Sequence, residues 1–347
     1  MVQTLILTGD MNFKEVTDPA PVFAQVAEIT HSADMLFGNL ECCFWEEPGQ
    51  NPAEREGFYA PPIAAEALVL AGFDAVGVAN NVTFGEAAIL SSLARLDELG
   101  IAHTGAGADR EAAYRPTVLE KNGVKYGFVQ RTSVYWPKNH EATANAPGVA
   151  IFKGHTAYRP QVDGYAANRP GVPPEIVTWA DRDDLEEYRE TLTKLSGEVD
   201  FLVASHHWGF EAEVLAYQTE IAHAAIDSGA DAVLGHGPHY PLGIEIYKDK
   251  PILYGAGNFS FNVGHHGRHG DWIGLFTTFL LAADGIQEIF IRFVRHTDRN
   301  ETVMRRPADE PDAVAELAAR SAVFDTKLIV ETDRIVIRPP SDRPRSV

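Results

Sequence analysis

Short apolar runs alternating with helical patterns constrain this chain more than any single motif. The segments "TLILTGD" (4–10), "DMLFGNLE" (34–41), "FDAVGVANN" (73–81), "KYGFVQRTSV" (125–134), "DFLVASHHW" (200–208), "DAVLGHG" (231–237) and "PILYGAGNFSF" (251–261) read as strands, and most end in polar or Gly-rich turns. Between them, residues 19–31, 62–71, 86–99, 181–196 and 212–228 carry apolar side chains at helical spacing. This alternation predicts an α/β fold. After residue 270 the pattern becomes strand-dominated, with "GLFTTFLLA" and "IQEIFIRFVRH" joined by the turn "ADG".

A chain of 347 residues can bury one large α/β core. Residues 1–300 are read as one domain, and 301–347 as a C-terminal extension packing on it with a frayed tail, "RPPSDRPRSV". Residues 154–178 are rich in Gly, Pro and Tyr and too long for an ordinary connection, so a lid is expected there. Twenty-nine Lys and Arg against 49 Asp and Glu give a net charge of −20, which repels nucleic acid and anionic membranes. Neither is expected as a partner; a small molecule or peptide is, and the oligomeric state stays open. The opening "MVQTLILTGDMNF" runs straight into a strand without a basic segment or cleavage site, which predicts a cytoplasmic protein. Adjacent Cys42 and Cys43 are poor candidates for a mutual disulfide and are read as packing.

Polar residues recur where the strands end: Asp10 and Asn12, Asn39 and Glu41, Asn80 and Asn81, His206 and His207, His236 and His239. In open α/β sheets the carboxyl ends of the strands form the ligand crevice, so these separated segments are expected to converge. Carboxylate, amide oxygen and imidazole together suit a divalent ion such as Zn, Mn or Fe. A strand-end His or Asn taken singly is more often a packing or turn residue, and the whole set carries the reading. Trp208 either floors the pocket or fills the core. The stretch "NVGHHGRHGD" (262–271), after Asn258, offers His265, His266, Arg268, His269 and Asp271 to a carboxylate-bearing substrate.

In this order, "GDM", "GNLE", "ANN", "HWGFE" and "GADAVLGHGPHYPLGIEIYKDKPILYGAGNF" resemble the bacterial capsule-biosynthesis proteins of the CapA type, over about residues 4–295. Those proteins are related to poly-γ-glutamate synthesis proteins, and the resemblance implies a metallophosphatase-like sandwich of two β-sheets flanked by helices. By motif position it points to Asp10, Glu41, Asn81, His207, His236 and His239 as the site, both as ligands of one divalent ion and, Asn81 excepted, as catalytic groups. Asn12, Trp208, Asn258, His266 and Arg268 are assigned to substrate. Two positions depart from the family. Val82 stands where the pattern Asn-Asn-His has its imidazole, and Asp10-Met11-Asn12 replaces Asp-x-His, so phosphoester hydrolysis is not expected.

Three readings follow. The first is a metal-assisted hydrolase of an amide or ester in a glutamyl-type or peptide substrate. The second is a metal-independent isomerase or peptide epimerase using the same residues as acid and base. The third is a non-catalytic polyglutamate or capsule assembly protein.

Overall fold

Residues 2–46, 58–161, 169–261, 272–283 and 285–337 are described by the computed structural model. In the strand Gln3–Asn12, Leu5 and Leu7 face one side and Ile6 the other, and all three are buried. The same parity holds in Met35–Leu40, where Met35 and Phe37 oppose Leu36, and in Phe201–His207, where Phe201 and Val203 oppose Leu202 and Ala204. Strands buried on both faces read as continuous apolar runs, which is why these segments show no polar alternation. The inward sides of two sheets meet in one core, with Phe37 and Phe128 stacked across it at 4.5 Å between ring centroids. The outward sides are covered by helices Glu66–Ala71 and Glu86–Glu98 on one sheet, and Arg182–Ser196 and Ala216–Asp227 on the other. This is the expected sandwich of two sheets flanked by helices.

In the larger sheet, Gln3–Asn12, Met35–Leu40, Ala75–Gly77 and Ala102–Thr104 run parallel, and Gly274–Ala282 and Gly285–His296 continue it antiparallel. The smaller sheet has Val124–Thr132, Phe201–His207, Ala232–His236 and Lys250–Leu253 parallel at its centre, with antiparallel edges at Thr117–Lys121 and Ile244–Tyr247. The parallel strands of both sheets end on the same rim.

Two segments differ from the sequence reading. "PILYGAGNFSF" is two strands: Lys250–Leu253 lies in the smaller sheet and Asn258–Phe261 pairs with Gln3–Asn12 in the larger one. Residues 19–31 hold only the short helix Ala27–Thr30 after a series of turns, because Pro19 and Pro21 withhold donors and bias their predecessors away from helix. Residues 301–337 are woven into the larger sheet: Thr302–Arg305 and Ile335–Ile337 both pair with Gly285–His296. Within 154–178, Gly154–Arg159 pairs with Glu175–Ala180 as a ribbon whose base packs on the helix Ala216–Asp227. Cys42 and Cys43 are free and buried. Among the described residues, no helix is long and apolar enough to cross a membrane.

Candidate active site

Register alone brings the first group together. At the carboxyl end of the larger sheet, Asp10 lies opposite Asn39 on one neighbouring strand and Asn258 on the other. Simple alternation would turn Asp10 outward with Ile6 and Thr8. A β-bulge prevents this: between Leu7 and Asp10 the first strand advances three residues while its partner advances two, from Phe37 to Asn39. The extra residue reverses the parity and aims Asp10 inward, a common use of bulges beside active sites. Across the gap, His207 lies opposite His236, on the parity of Val203 and Leu234 that faces the larger sheet. His206 has the other parity. It stacks on Trp208 at 4.8 Å and meets the Tyr188 hydroxyl at 2.5 Å, behind the smaller sheet.

The turn "GHGPHY" joins the two halves. Gly237 N–H donates to Asp10 Oδ2 at 3.2 Å. Its φ of 113° and the Trp208 carbonyl, 2.8 Å from where a Cβ would sit, leave room only for glycine. His239 follows in the left-handed region, at φ 66°, which turns its ring back over the carboxylates. His239 Nδ1 lies 3.4 Å from Asp10 Oδ2, and its Nε2 lies 3.7 Å from Glu41 Oε1. His236 Nδ1 lies 3.5 Å from Asp10 Oδ1, and His207 Nε2 lies 3.9 Å from Glu41 Oε1. Asn81 Oδ1 contacts His207 Nε2 at 2.8 Å. The structure therefore brings Asp10, Glu41, Asn81, His207, His236 and His239 into one site, although they span most of the chain.

The residues assigned to substrate are placed differently. Asn12 donates its amide to the Glu41 carbonyl at 2.7 Å and accepts from Lys14 N–H, so it anchors the backbone at Glu41, just past the end of Met35–Leu40. Trp208 is fully buried with its indole N–H on the Tyr254 carbonyl, and fills the core rather than flooring a pocket. Asn258 Oδ1 contacts His239 Nδ1 at 2.9 Å, orienting that ring. Asn80 organises its turn by accepting from Thr83 N–H and Oγ1–H. His265, His266, Arg268, His269 and Asp271 lie outside the described residues. Sequence reasoning missed Gln130 and Ser205, which approach His236 Nε2 at 3.1 and 2.9 Å. Their signal was parity: both sit on the inward side of their strands near the carboxyl end.

Burial dominates the electrostatics. It pushes the Asp10 carboxyl up to about 7, against hydrogen bonds from Asn39 and Gly237 that pull it down. The Glu41 carboxyl is raised well above the usual range by burial and then by the charge of Asp10. His207 and His236 are held far below their ordinary value, first by burial and then by neighbouring imidazoles, His239 and His140 acting on His207 and His207 foremost on His236, and burial brings His239 to about 4. These carboxyls prefer a proton or a cation, and the imidazoles stay neutral at physiological pH. Asp10, His207 and His236, and likewise Asp10, Glu41 and His239, each offer ligand atoms within 4.8 Å of one another. Among the described residues Glu41 Oε2 is buried with no hydrogen-bond partner, an orphan that a bound cation would satisfy. The donor set fits a divalent ion.

Several known proteins are similar to this chain. A probable polyglutamine synthesis accessory protein of Mycobacterium tuberculosis is 33% identical over 193 residues, 52% of this chain and 43% of its own length. The PGA biosynthesis protein CapA of Bacillus subtilis is 25% identical over 249 residues, 70% of this chain and 57% of its own. An uncharacterised protein of Sinorhizobium fredii is 27% identical over 306 residues, 75% of this chain and 66% of its own length, so the chain spans less than two thirds of these relatives. Among solved structures, a phosphatase from Mycoplasma pneumoniae superposes with a TM-score of 0.50 at 13% identity, covering 85% of this chain and 94% of that one, which shows a shared fold. Residues 4–263 match the family described as bacterial capsule synthesis protein PGA_cap, and the chain belongs to that family.

Proposed function

We propose that this chain is a metal-assisted hydrolase of capsule or polyglutamate biosynthesis, cleaving an amide or ester bond in a carboxylate-bearing, glutamyl-type or peptide substrate. The observation that carries the reading is the buried trio Asp10, Glu41 and His239, in which Glu41 Oε2 has no hydrogen-bond partner among the described residues. These three would hold one divalent ion, Zn, Mn or Fe. When bound, such an ion lowers the pKa of water to about 7 and polarises a carbonyl. Asn39 and Gly237 fix the two oxygens of Asp10 from opposite sides. Asn258 accepts from His239 Nδ1–H, which keeps that proton off Nε2 and turns the Nε2 lone pair toward Glu41. His207 and His236, neutral and hydrogen-bonded to each other, can hold or pass a proton beside the carboxylates. The substrate class follows from the named relatives of the family.

A second reading has its own observation. Without an ion, Asp10 near 7 beside Glu41, itself raised well above its usual range, is a proton-sharing carboxyl pair, suited to acid and base work next to a carbonyl. Chelation separates the two. Elemental analysis of the purified protein is expected to give one ion per chain, with hydrolysis of γ-glutamyl peptides lost in chelator and restored by metal. Full activity in metal-free protein would overturn the hydrolase reading and favour the isomerase.

A further inference from the structure

We infer that Gln130 is a positioning residue that fixes which nitrogen of His236 carries the proton, and thereby decides where in the site a metal ion binds. Gln130 is fully buried on the inward face of Val124–Thr132. Ala79 N–H donates to its Oε1 at 2.7 Å. A backbone N–H can only donate, so the oxygen end of this carboxamide is identified and the NH2 must face the other way. That NH2 lies 2.8 Å from Asn39 Oδ1 and 3.1 Å from His236 Nε2. Asn39 is oriented independently: the Asn80 NH2, identified by its 2.8 Å bond to the Leu40 carbonyl, also donates to Asn39 Oδ1 at 3.3 Å, and the Asn39 NH2 faces Asp10 Oδ1 at 2.7 Å. One proton of the Gln130 amide therefore goes to Asn39, and the other points at His236 Nε2.

His236 Nε2 must meet that proton with its lone pair, so the neutral ring carries hydrogen on Nδ1. Ser205 Oγ, 2.9 Å from the same nitrogen, can donate or accept and does not decide the matter. The Nδ1 atoms of His236 and His207 are 3.1 Å apart and need one proton between them. With Gln130 in place His236 supplies it, His207 accepts, and His207 Nε2–H donates onward to Asn81 Oδ1 at 2.8 Å. Every bond in the series then has one donor and one acceptor.

An ion among Asp10, His207 and His236 would take both Nδ1 lone pairs. It would move the His236 proton to Nε2, hydrogen against hydrogen with the Gln130 amide. The trio Asp10, Glu41 and His239 meets no such conflict, since Asn258 Oδ1 already accepts the proton at His239 Nδ1. Gln130 thus keeps the histidine pair proton-linked and confines metal to the other side of Asp10. The metal half of this inference rests on the hydrolase reading; the tautomer half does not.

Two-bond ¹H–¹⁵N ring spectra of metal-free, ¹⁵N-histidine-labelled protein distinguish the tautomers, and the His236 signals are identified by their loss in His236→Asn. The wild type is expected to show His236 protonated at Nδ1 and bare at Nε2. Ser205→Ala should keep that pattern, whereas Gln130→Met should lose it in part to the Nε2–H form. Zinc titration should saturate at one equivalent in the wild type, perturbing His239 and leaving His236 unchanged, and Gln130→Met should take up a second. An Nε2–H signal from wild-type His236, or two equivalents bound with both Nδ1 atoms displaced, would overturn the inference. Should Gln130→Met fail to fold, the wild-type and Ser205→Ala spectra still decide. Absence of zinc binding with the expected tautomer would sink the hydrolase reading and leave the role of Gln130 standing.

Discussion

Val82 shows how one side chain narrows the chemistry of a site whose fold is shared with phosphatases. It is buried at 5% exposure, and its N–H donates to Asn80 Oδ1. Among the described residues no neighbour replaces the imidazole absent from this position: His140 is close, but its Nδ1 accepts from Trp136 N–H and its Nε2 contacts the Thr83 carbonyl. General acid catalysis contributes about 10²- to 10⁴-fold, so turnover of a generic aryl phosphate is expected to be weak or absent, and efficient turnover would show that leaving-group protonation has another source. Asn258 supports the opposite kind of prediction, because its side-chain oxygen contacts the ring that would bind the ion. Asn258→Ala is expected to weaken metal affinity about 10- to 100-fold with the fold intact, read by competition with a chelator of known affinity. Unchanged affinity would mean that His239 is oriented by its left-handed backbone alone. The ligand-type residues at strand ends were legible in the sequence because Asp, Glu and His stand out after apolar runs. Gln130 and Ser205 were not, since an amide or hydroxyl inside a strand has many ordinary uses and only the three-dimensional register shows what it faces.

At the scale of elements, the bulge in the first strand is the feature the site depends on most and the one a sequence hides best. Period-2 alternation from Leu5 and Leu7 places Asp10 outward, and only pairing with Phe37 and Asn39 reveals the extra residue. The parallel strands were legible from their apolar runs. The division of 251–261 between two sheets was not, because Gly255-Ala256-Gly257 reads equally as strand or crossing point. Both features meet at Gly9, where an added Cβ would lie 1.8 Å from the Gly257 carbonyl oxygen. That carbonyl accepts from Asp10 N–H at 2.9 Å, so the contact cannot open without releasing Asp10 from the strand that carries Asn258. Overpacking of this kind costs about 1–3 kcal/mol or more. Gly9→Ala is expected to lower the denaturant midpoint accordingly and to reduce metal content as well. A wild-type midpoint with full metal content would show that the bulge relaxes without moving Asp10.

For the whole molecule, the buried titratable groups give the metal-free protein a narrow range of stability in pH. Burial holds His206 at about 3, His140 and His239 at about 4, and His207 and His236 well below the ordinary value of 6.5. As pH falls below 6.5 the unfolded chain takes up protons that these folded imidazoles refuse, so stability is lost on the acid side. The carboxyls act in reverse. Asp10 at about 7 and Glu41, raised well above its ordinary value, hold protons in the folded state that the unfolded chain has already released. Their contribution is fully present below the unfolded carboxyl range and declines as pH rises through the folded values. Below 6.5 the five histidines outnumber the two carboxyls, so the acid limb dominates; above it only the carboxyls remain. Each net proton changes stability by about 1.4 kcal/mol per pH unit. The melting temperature of the metal-free protein is therefore expected to peak near pH 6.5 and to fall toward pH 8. A divalent ion competes for the carboxylates in their deprotonated form and should abolish the alkaline decline while leaving the acid limb in place. Thermal melts across pH 5 to 8, with and without metal, test this directly. An alkaline limb that stays the same on adding zinc or manganese would mean that Asp10 and Glu41 share a proton in the working protein and bind no ion, which is the arrangement the isomerase reading requires.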